Sequence, residues 1–353
     1  MAKNWRCAVV GAATVGQTHV RVIPQLPNTT LVAVCDIAAE RAKAALEKAG
    51  QSGVPVYTDM AQMLKHEQID VVHLATPSGL HEEGCKLAME HGKHVICEKP
   101  LEIALERVDR MIALADKKGL KLATIFQNRY SDANRAIKQA ADEGRFGKLA
   151  WAGCFTPWYR PDKYYTDGGW RGTWKLDGGG AIMNQSVHNI DLLQWIAGPV
   201  KTVSAYASSR IHPTIETEDT GSAALEFENG AYGTILGTTA MFPGLPARIE
   251  IGGENGTAIQ ENGLKFFKFR DERPGDTELL QRLAPKAAGG PNVASNPAAM
   301  GNDLHARNIT AILSAWAEGR EAETNGPESR KAVAIVHAFY ESVRNGGNAV
   351  RVK

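Results

Sequence analysis

Residues 7–19 read "CAVVGAATVGQTH", and their reading decides the fold. A short apolar run that ends on glycine and passes straight into a helix start is a strand, a tight turn and a helix. Gly11 permits the turn and Gly16 lets the helix pack closely on the strand, so the helix N-terminus can receive a pyrophosphate. The next apolar run, "LVAVCD", ends on Asp36, twenty residues past Gly16. An acid there binds both ribose hydroxyls of an adenosine and repels a 2′-phosphate. No arginine follows it immediately, so NAD is expected over NADP. Ala13 stands where the middle glycine of G-x-G-x-x-G would be, which puts a methyl group where the backbone should approach the phosphates.

Outward from this turn, the first ~125 residues alternate short apolar runs with helix-period segments, the grammar of a parallel sheet covered on both faces. Further strands are expected at "VPVY", "VVHLAT", "HVICE" and "KLATIF". The second half changes style. Long strand-like runs from "LAWAGCFTPW" to "KFFKF" are joined by Asn-Gly turns at 229, 255 and 262, strong hairpin signals that predict an open antiparallel sheet. Two helices close the chain, and Arg270–Gly301, rich in Pro, Gly and Ala, reads as a long loop. The expected architecture is therefore α/β plus α+β: residues 1–126 as a doubly wound, dinucleotide-binding domain, and 127–353 as a substrate-binding and oligomerisation domain.

The composition is that of a soluble globular protein. Forty basic and thirty-nine acidic residues leave a formal charge of +1, so no broad field invites nucleic acid or an anionic membrane. No run approaches the ~18 apolar residues of a membrane span, and "CAVVGAA" is too short for a signal-peptide core. The five cysteines, at 7, 35, 85, 97 and 154, form no C-x-x-C pair and sit mostly in apolar runs, as in a reducing, cytoplasmic compartment. No metal site is expected.

In a doubly wound sheet the carboxyl ends of the strands line the ligand crevice. "ATPSGLH" puts Thr76, Pro77 and Ser78 at one such end, with His81 on the following helix. "HVICEKPL", residues 94–101, puts Glu98 and Lys99 at another. Farther on, "DGGGAIMNQSVHNID" places Asn184 and His188 four residues apart on a helix, with Asp191 three residues beyond. Moving a hydride from an alcohol requires one group to take the hydroxyl proton and another to steady the developing oxyanion. Lys99 and His188 can divide those tasks.

Together, "TPSGLH", "EKPL" and the glycine-histidine helix make the chain resemble, over essentially its whole length, the glucose-fructose oxidoreductase, inositol dehydrogenase and rhizopine catabolism (Gfo/Idh/MocA) dehydrogenases. The resemblance implies a Rossmann domain that binds NAD, with Lys99 and His188 as the catalytic pair and a cis peptide before Pro100. It further implies cofactor contacts from Gly11, Ala13, Thr14, Val15, Gly16, Asp36, Ile37, Thr76, Pro77, Ser78, His81, Glu98, Lys99, Gln127, Trp170 and Arg171. Substrate contacts are implied for Lys99, Gln127, Trp158, Tyr165, Asn184 and His188. Relatives often carry aspartate where Asn184 stands; an amide orients hydroxyls but cannot raise the basicity of His188.

Four of the seven tryptophans fall at 151, 158, 170 and 174, with Tyr159, Tyr164 and Tyr165 among them and Arg160, Lys163, Arg171 and Lys175 interleaved. Aromatic faces suit a pyranose or an aromatic strand-and-loop core, and the cations suit a solvated loop or a seat for a carboxylate or phosphate. This block is similar to that of the UDP-N-acetylglucosaminuronate 3-dehydrogenases. The expected reaction is oxidation of a ring secondary hydroxyl, at C3, of a pyranose or nucleotide-sugar. An inositol or free-sugar dehydrogenase, or an NAD-dependent glycosidase acting through a 3-keto intermediate, are the alternatives. A sheet with so few covering helices also predicts a homo-dimer or homo-tetramer.

Overall fold

The computed structural model describes residues 3–285, 294 and 301–353. In chain order the first elements are β1 (Trp5–Val10), α1 (Thr14–Val22), β2 (Thr29–Cys35), α2 (Ala39–Lys48), β3 (Val56–Tyr57), α3 (Met60–His66), β4 (Val71–Leu74), α4 (His81–Glu90), β5 (His94–Cys97), α5 (Leu105–Lys118) and β6 (Leu122–Thr124). After them come α6 (Asp132–Asp142), β7 (Leu149–Pro157), α7 (Asp162–Thr166), a π-helix over Ala181–Ser186, α8 (Val187–Ala197), β8 (Val200–Ser208), β9 (Thr220–Phe227) and β10 (Tyr232–Thr238). The chain ends with β11 (Arg248–Gly253), β12 (Gly256–Glu261), β13 (Leu264–Phe269), α9 (Asp276–Arg282), α10 (Asp303–Ala317), α11 (Gly326–Arg344) and β14 (Val350–Arg351).

The chain forms two compact units, Met1–Gln127 with Gly301–Arg330, and Asn128–Met300 with Lys331–Lys353. The expected division at 126/127 did not include this return of residues 301–330 to the first unit. The return has a packing reason. Ile309, Ile312, Leu313 and Trp316 of α10 are buried with Val20, Val22 and Ile23 in the core beneath β1, so α10 supplies an apolar face that α1 would otherwise leave wet.

In the first unit six parallel strands take the order β3-β2-β1-β4-β5-β6. The order reverses between β1 and β4, which makes the ends of those two strands the switch point where such sheets bind ligands. The strands read as continuous apolar runs because helices cover both faces: all four residues of β4 are buried.

In the second unit eight strands take the order β13-β12-β11-β7-β10-β9-β8-β14. The sheet is mixed and mostly antiparallel, because β10 runs parallel to β7 while the hairpins are antiparallel. The Asn-Gly turns sit between β9 and β10, β11 and β12, and β12 and β13. One sheet face packs on α8 and α11 through residues such as Cys154, Ile235, Leu193 and Phe339. On the other face the register pairs Trp151 with Tyr232 and Ile259 with Phe266. Trp151, Tyr206, Tyr232 and Phe266 are exposed. Within the expected long loop the structure has α9; residues 286–293 and 295–300 lie outside the described residues.

Candidate active site

The glycine turn is held by sterics. Gly11 has φ of +90°, and a Cβ on it would lie 2.5 Å from the Ala75 carbonyl oxygen at the end of β4. A Cβ on Gly16 would lie 1.9 Å from the Gly11 oxygen. Neither position tolerates a side chain. Ala13, in contrast, caps α1 with an extended φ of −75° and is exposed, as is Thr14, with Val15 half-buried behind them. The alanine therefore costs the backbone nothing, and the turn fits a pyrophosphate on the α1 N-terminus.

Asp36, buried at the end of β2, accepts the Ala12 N–H at 2.7 Å and the Ala38 N–H at 2.9 Å. It ties the second strand to the glycine turn. Arg41, five residues on, approaches its carboxylate at 3.3 Å, a cation that the sequence reading did not weigh. Ile37 beside it is 90% exposed, an apolar surface of the kind a base ring covers.

At the end of β4, Ser78 is buried and Pro77 precedes a short 3-10 turn. His81 is buried too, and both ring nitrogens face main-chain carbonyls: Nε2 the Thr76 oxygen at 3.0 Å, Nδ1 the Pro100 oxygen at 2.9 Å. It is a strut between two loops of the crevice. The Lys99–Pro100 peptide is cis, and Lys99 is half-buried. Gln127, the last residue of this stretch, is buried.

Glu98 turns inward. Its Oε1 lies 2.9 Å from His19 Nε2 and 3.5 Å from His305 Nε2, and its Oε2 accepts the Lys99 N–H at 3.2 Å. Burial alone pushes this carboxyl up, but hydrogen bonds and charge from His19 and His305 outweigh it and hold Glu98 well below the usual carboxylate range. His73 Nδ1 meets His19 Nδ1 at 3.1 Å; burial, then His19, keeps His73 well below the normal histidine range, hence neutral. Sequence reading found Glu98 but not this histidine cluster, whose members lie on α1, β4 and α10.

The second unit builds the histidine helix. Residues 181–186 form a π-helix that passes into α8, so Asn184 and His188 are not two positions of one regular α-helix as expected. Such wide turns recur at functional sites. Glu218, fully buried, receives the first amides of this segment, accepting Gly180 N–H at 3.1 Å and Ile182 N–H at 2.9 Å, with the Tyr340 hydroxyl donating at 2.9 Å. Asn184 donates to Asp177 at 2.5 Å and accepts from Gln185 at 2.9 Å, and Gln185 also donates to the Tyr164 hydroxyl at 2.8 Å. Asp177 also accepts the Gly172 N–H. A carboxylate, Asp177, thus lies against the Asn184 amide where relatives were expected to carry aspartate at 184 itself. The acid immediately before the glycines was the available signal. His188 is buried in the first turn of α8. Asp191, further along, forms a buried bidentate pair with Arg129 at 2.7 and 2.5 Å, a scaffold contact.

The aromatic and basic stretch divides between core and surface. Arg160 is fully buried, its guanidinium donating to the Tyr159 and Ala294 carbonyls and to Gln185, and lying 4.9 Å from the Trp158 ring centre; it is not a surface seat for an anion, contrary to the expectation. Tyr165 is buried, its hydroxyl 2.6 Å from Thr239 Oγ1. Arg171 donates to the Tyr164 and Asp167 carbonyls and stacks on Tyr164, with Trp170 half-buried beside it. Lys163 and Lys175 are exposed. Among the described residues no His, Cys, Asp and Glu group could hold a metal.

Two family models match the chain: "Oxidoreductase family, NAD-binding Rossmann fold" over residues 5–126, and "GFO/IDH/MocA C-terminal domain" over 134–259. Among solved structures, the WlbA dehydrogenase from Bordetella pertussis, in complex with NADH and UDP-GlcNAcA, is 32% identical. It aligns over 99% of this chain and 98% of its own, with a TM-score of 0.89. The myo-inositol 2-dehydrogenase of Thermotoga maritima is 27% identical over 77% of this chain and 79% of its own length. The D-glucoside 3-dehydrogenase of Escherichia coli is 29% identical over 64% of this chain and 67% of its own. A glycine turn at the switch point of a doubly wound sheet, followed by an EKP strand end, defines an NAD-dependent oxidoreductase. The chain belongs to the Gfo/Idh/MocA family.

Proposed function

We propose that the protein oxidises a ring secondary hydroxyl, at C3, of a pyranose, with a nucleotide-sugar acid ahead of a free sugar. One observation carries this reading: the full-length likeness to a dehydrogenase holding NADH and UDP-GlcNAcA. The buried Asp177–Asn184–Gln185 network just ahead of the histidine helix supports it, because side-chain amides fixed in this way can orient several hydroxyls at once.

Bound NAD supplies the hydride acceptor. Gly11, Ala13, Thr14, Val15 and Gly16 would hold its pyrophosphate, Asp36 and Ile37 its adenosine, and Thr76, Pro77, Ser78, His81, Gln127, Trp170 and Arg171 are assigned the remaining contacts; the Glu98 carboxylate, engaged inside the unit by His19, His305 and the Lys99 N–H, is not among them. In this reading Lys99 hydrogen-bonds the reacting oxygen while His188 accepts its proton. Negative charge builds on the oxygen as its proton passes to His188 and is relieved as the hydride leaves the carbon, so a cationic donor held beforehand favours the transition state over the bound alcohol. Asn184, Trp158 and Tyr165 would bind the sugar.

The test is formation of reduced nicotinamide across UDP-sugar acids, UDP-sugars, free sugars, glycosides and inositols. UDP-N-acetylglucosaminuronate should show the highest kcat/KM. Turnover of inositols with none of any pyranose would reject the reading, and glycoside cleavage without net reduced cofactor would favour the glycosidase.

We further propose a homo-dimer or homo-tetramer assembled through the exposed sheet face. Trp151, Tyr206, Tyr232 and Phe266 on that face are 39 to 68% exposed, with Trp151 and Tyr232 directly paired, and large apolar side chains exposed together on one face mark an interface. Five buried free cysteines support a cytoplasmic enzyme, and no helix among the described residues is long and apolar enough to cross a membrane.

A further inference from the structure

We propose that Glu98 is a positioning residue for Lys99: anchored inside the nucleotide-binding unit by His19 and His305, its carboxylate clamps the peptide N–H from which Lys99 begins. The proposal rests on the reading of Lys99 as a catalytic group.

The cluster joins four elements that are distant in sequence. His19 comes from α1, the helix of the glycine turn; His73 from β4; Glu98 from the end of β5; His305 from α10. All four side chains are buried. The Glu98 N–H also donates to the Leu74 oxygen at 2.9 Å, so main chain and side chain both fix this strand end.

The protons are constrained. A carboxylate only accepts, so His19 and His305 donate to it through Nε2. One proton is shared across the His19–His73 contact, since two Nδ1–H groups 3.1 Å apart would clash. Among the described residues, His73 Nε2 and His305 Nδ1 have no hydrogen-bond partner. The arrangement thus holds a carboxylate inside the unit with donors on Oε1 and the Lys99 amide on Oε2.

A carboxylate buried merely to fasten the core would be a costly choice, since an apolar residue of similar volume does that as well or better. What an apolar residue cannot do is accept the Lys99 N–H. The cluster therefore connects α1, whose N-terminus receives the pyrophosphate, to the peptide that carries the lysine. A loosened clamp should misplace the amine without removing it, and a shift of ~1 Å can cost on the order of 100-fold.

The experiment is a double-mutant cycle. Glu98→Gln keeps the shape and removes the charge; His305→Asn weakens the anchor more gently and serves if the first variant does not fold. Each is made alone and with Lys99→Met. Turnover of UDP-N-acetylglucosaminuronate, NAD affinity by calorimetry and melting temperature are measured on all. Glu98→Gln should lower kcat about 10- to 100-fold with NAD affinity nearly unchanged, and should cost almost nothing further in the Lys99→Met protein. A readout without substrate accompanies it. After reductive methylation with an isotope label, the Lys99 amine signal, identified by its loss in Lys99→Met, should shift or broaden in Glu98→Gln and in His305→Asn. Equal loss of turnover in both backgrounds, or an unchanged Lys99 signal in folded variants, would overturn the clamp. Near-normal turnover of Lys99→Met alone would instead reject the catalytic reading of Lys99, and the clamp would fall with it.

Discussion

Lys99 and His188 act, in this account, on charge that develops during the reaction, so their removal should fall on turnover rather than on cofactor binding. Lys99→Met, which keeps the apolar stem, and His188→Ala should each lower kcat by roughly 10²–10⁴-fold. NAD affinity by calorimetry should stay within a few-fold; near-normal turnover in a folded Lys99→Met protein would return the lysine to the scaffold. Asp36 makes a second residue-scale prediction. Its carboxylate holds two main-chain amides and faces Arg41 at 3.3 Å. Asp36→Ser should free that arginine for a 2′-phosphate and move the ratio of NAD to NADP affinity toward NADP; an unmodified protein that prefers NADP would contradict the argument. Residue type and local spacing made Gly11, Gly16 and Asp36 legible in the sequence, because one short turn sets their geometry. Arg160 was not legible. Its inward course depends on Gln185 and on the Ala294 carbonyl, which sequence distance hides.

At the scale of elements, periodicity and turn chemistry gave the parallel strands of the first unit and, through Asn-Gly, the β9–β10, β11–β12 and β12–β13 hairpins of the second, though not the longer β8–β9 connection. The π-helix ahead of His188 left no such mark. It arises where Glu218 and Tyr340, remote in sequence, take up the first amides of the segment, and no local pattern announces that. The same holds for the parallel pairing of β7 with β10 and for the docking of α10 on the first unit. The histidine cluster between α1, β4 and α10 has a measurable consequence. His73 stays neutral when folded, its pKa depressed by burial and by His19, whereas an unfolded histidine titrates near 6.5. Below that value the unfolded chain binds the extra proton. The stability His73 contributes is therefore full above about pH 6.5 and is lost as pH falls toward the folded value, by roughly 1.4 kcal/mol per pH unit. Glu98, also depressed, adds a loss that begins lower, below the unfolded carboxylate value near 4.3. Urea unfolding followed between about pH 7 and pH 5 should show the first slope, and His73→Asn should flatten it; an unchanged slope would mean that His73 charges freely in the fold.

For the whole molecule, sedimentation should give a dimer or tetramer at micromolar concentration, and Tyr232→Lys on the exposed sheet face should shift it toward monomer. A wild-type monomer would mean that the face has another role. The central claim, hydride transfer from a ring carbon of a pyranose to NAD, is tested most directly with a labelled substrate. UDP-N-acetylglucosaminuronate carrying deuterium at C3 is incubated with the enzyme and NAD, and the reduced cofactor is examined by mass spectrometry. The account predicts deuterium in the reduced nicotinamide and a 3-keto sugar as the product. Reduced cofactor without deuterium would move the chemistry to another carbon, and no reduced cofactor from this or any other pyranose would contradict the account.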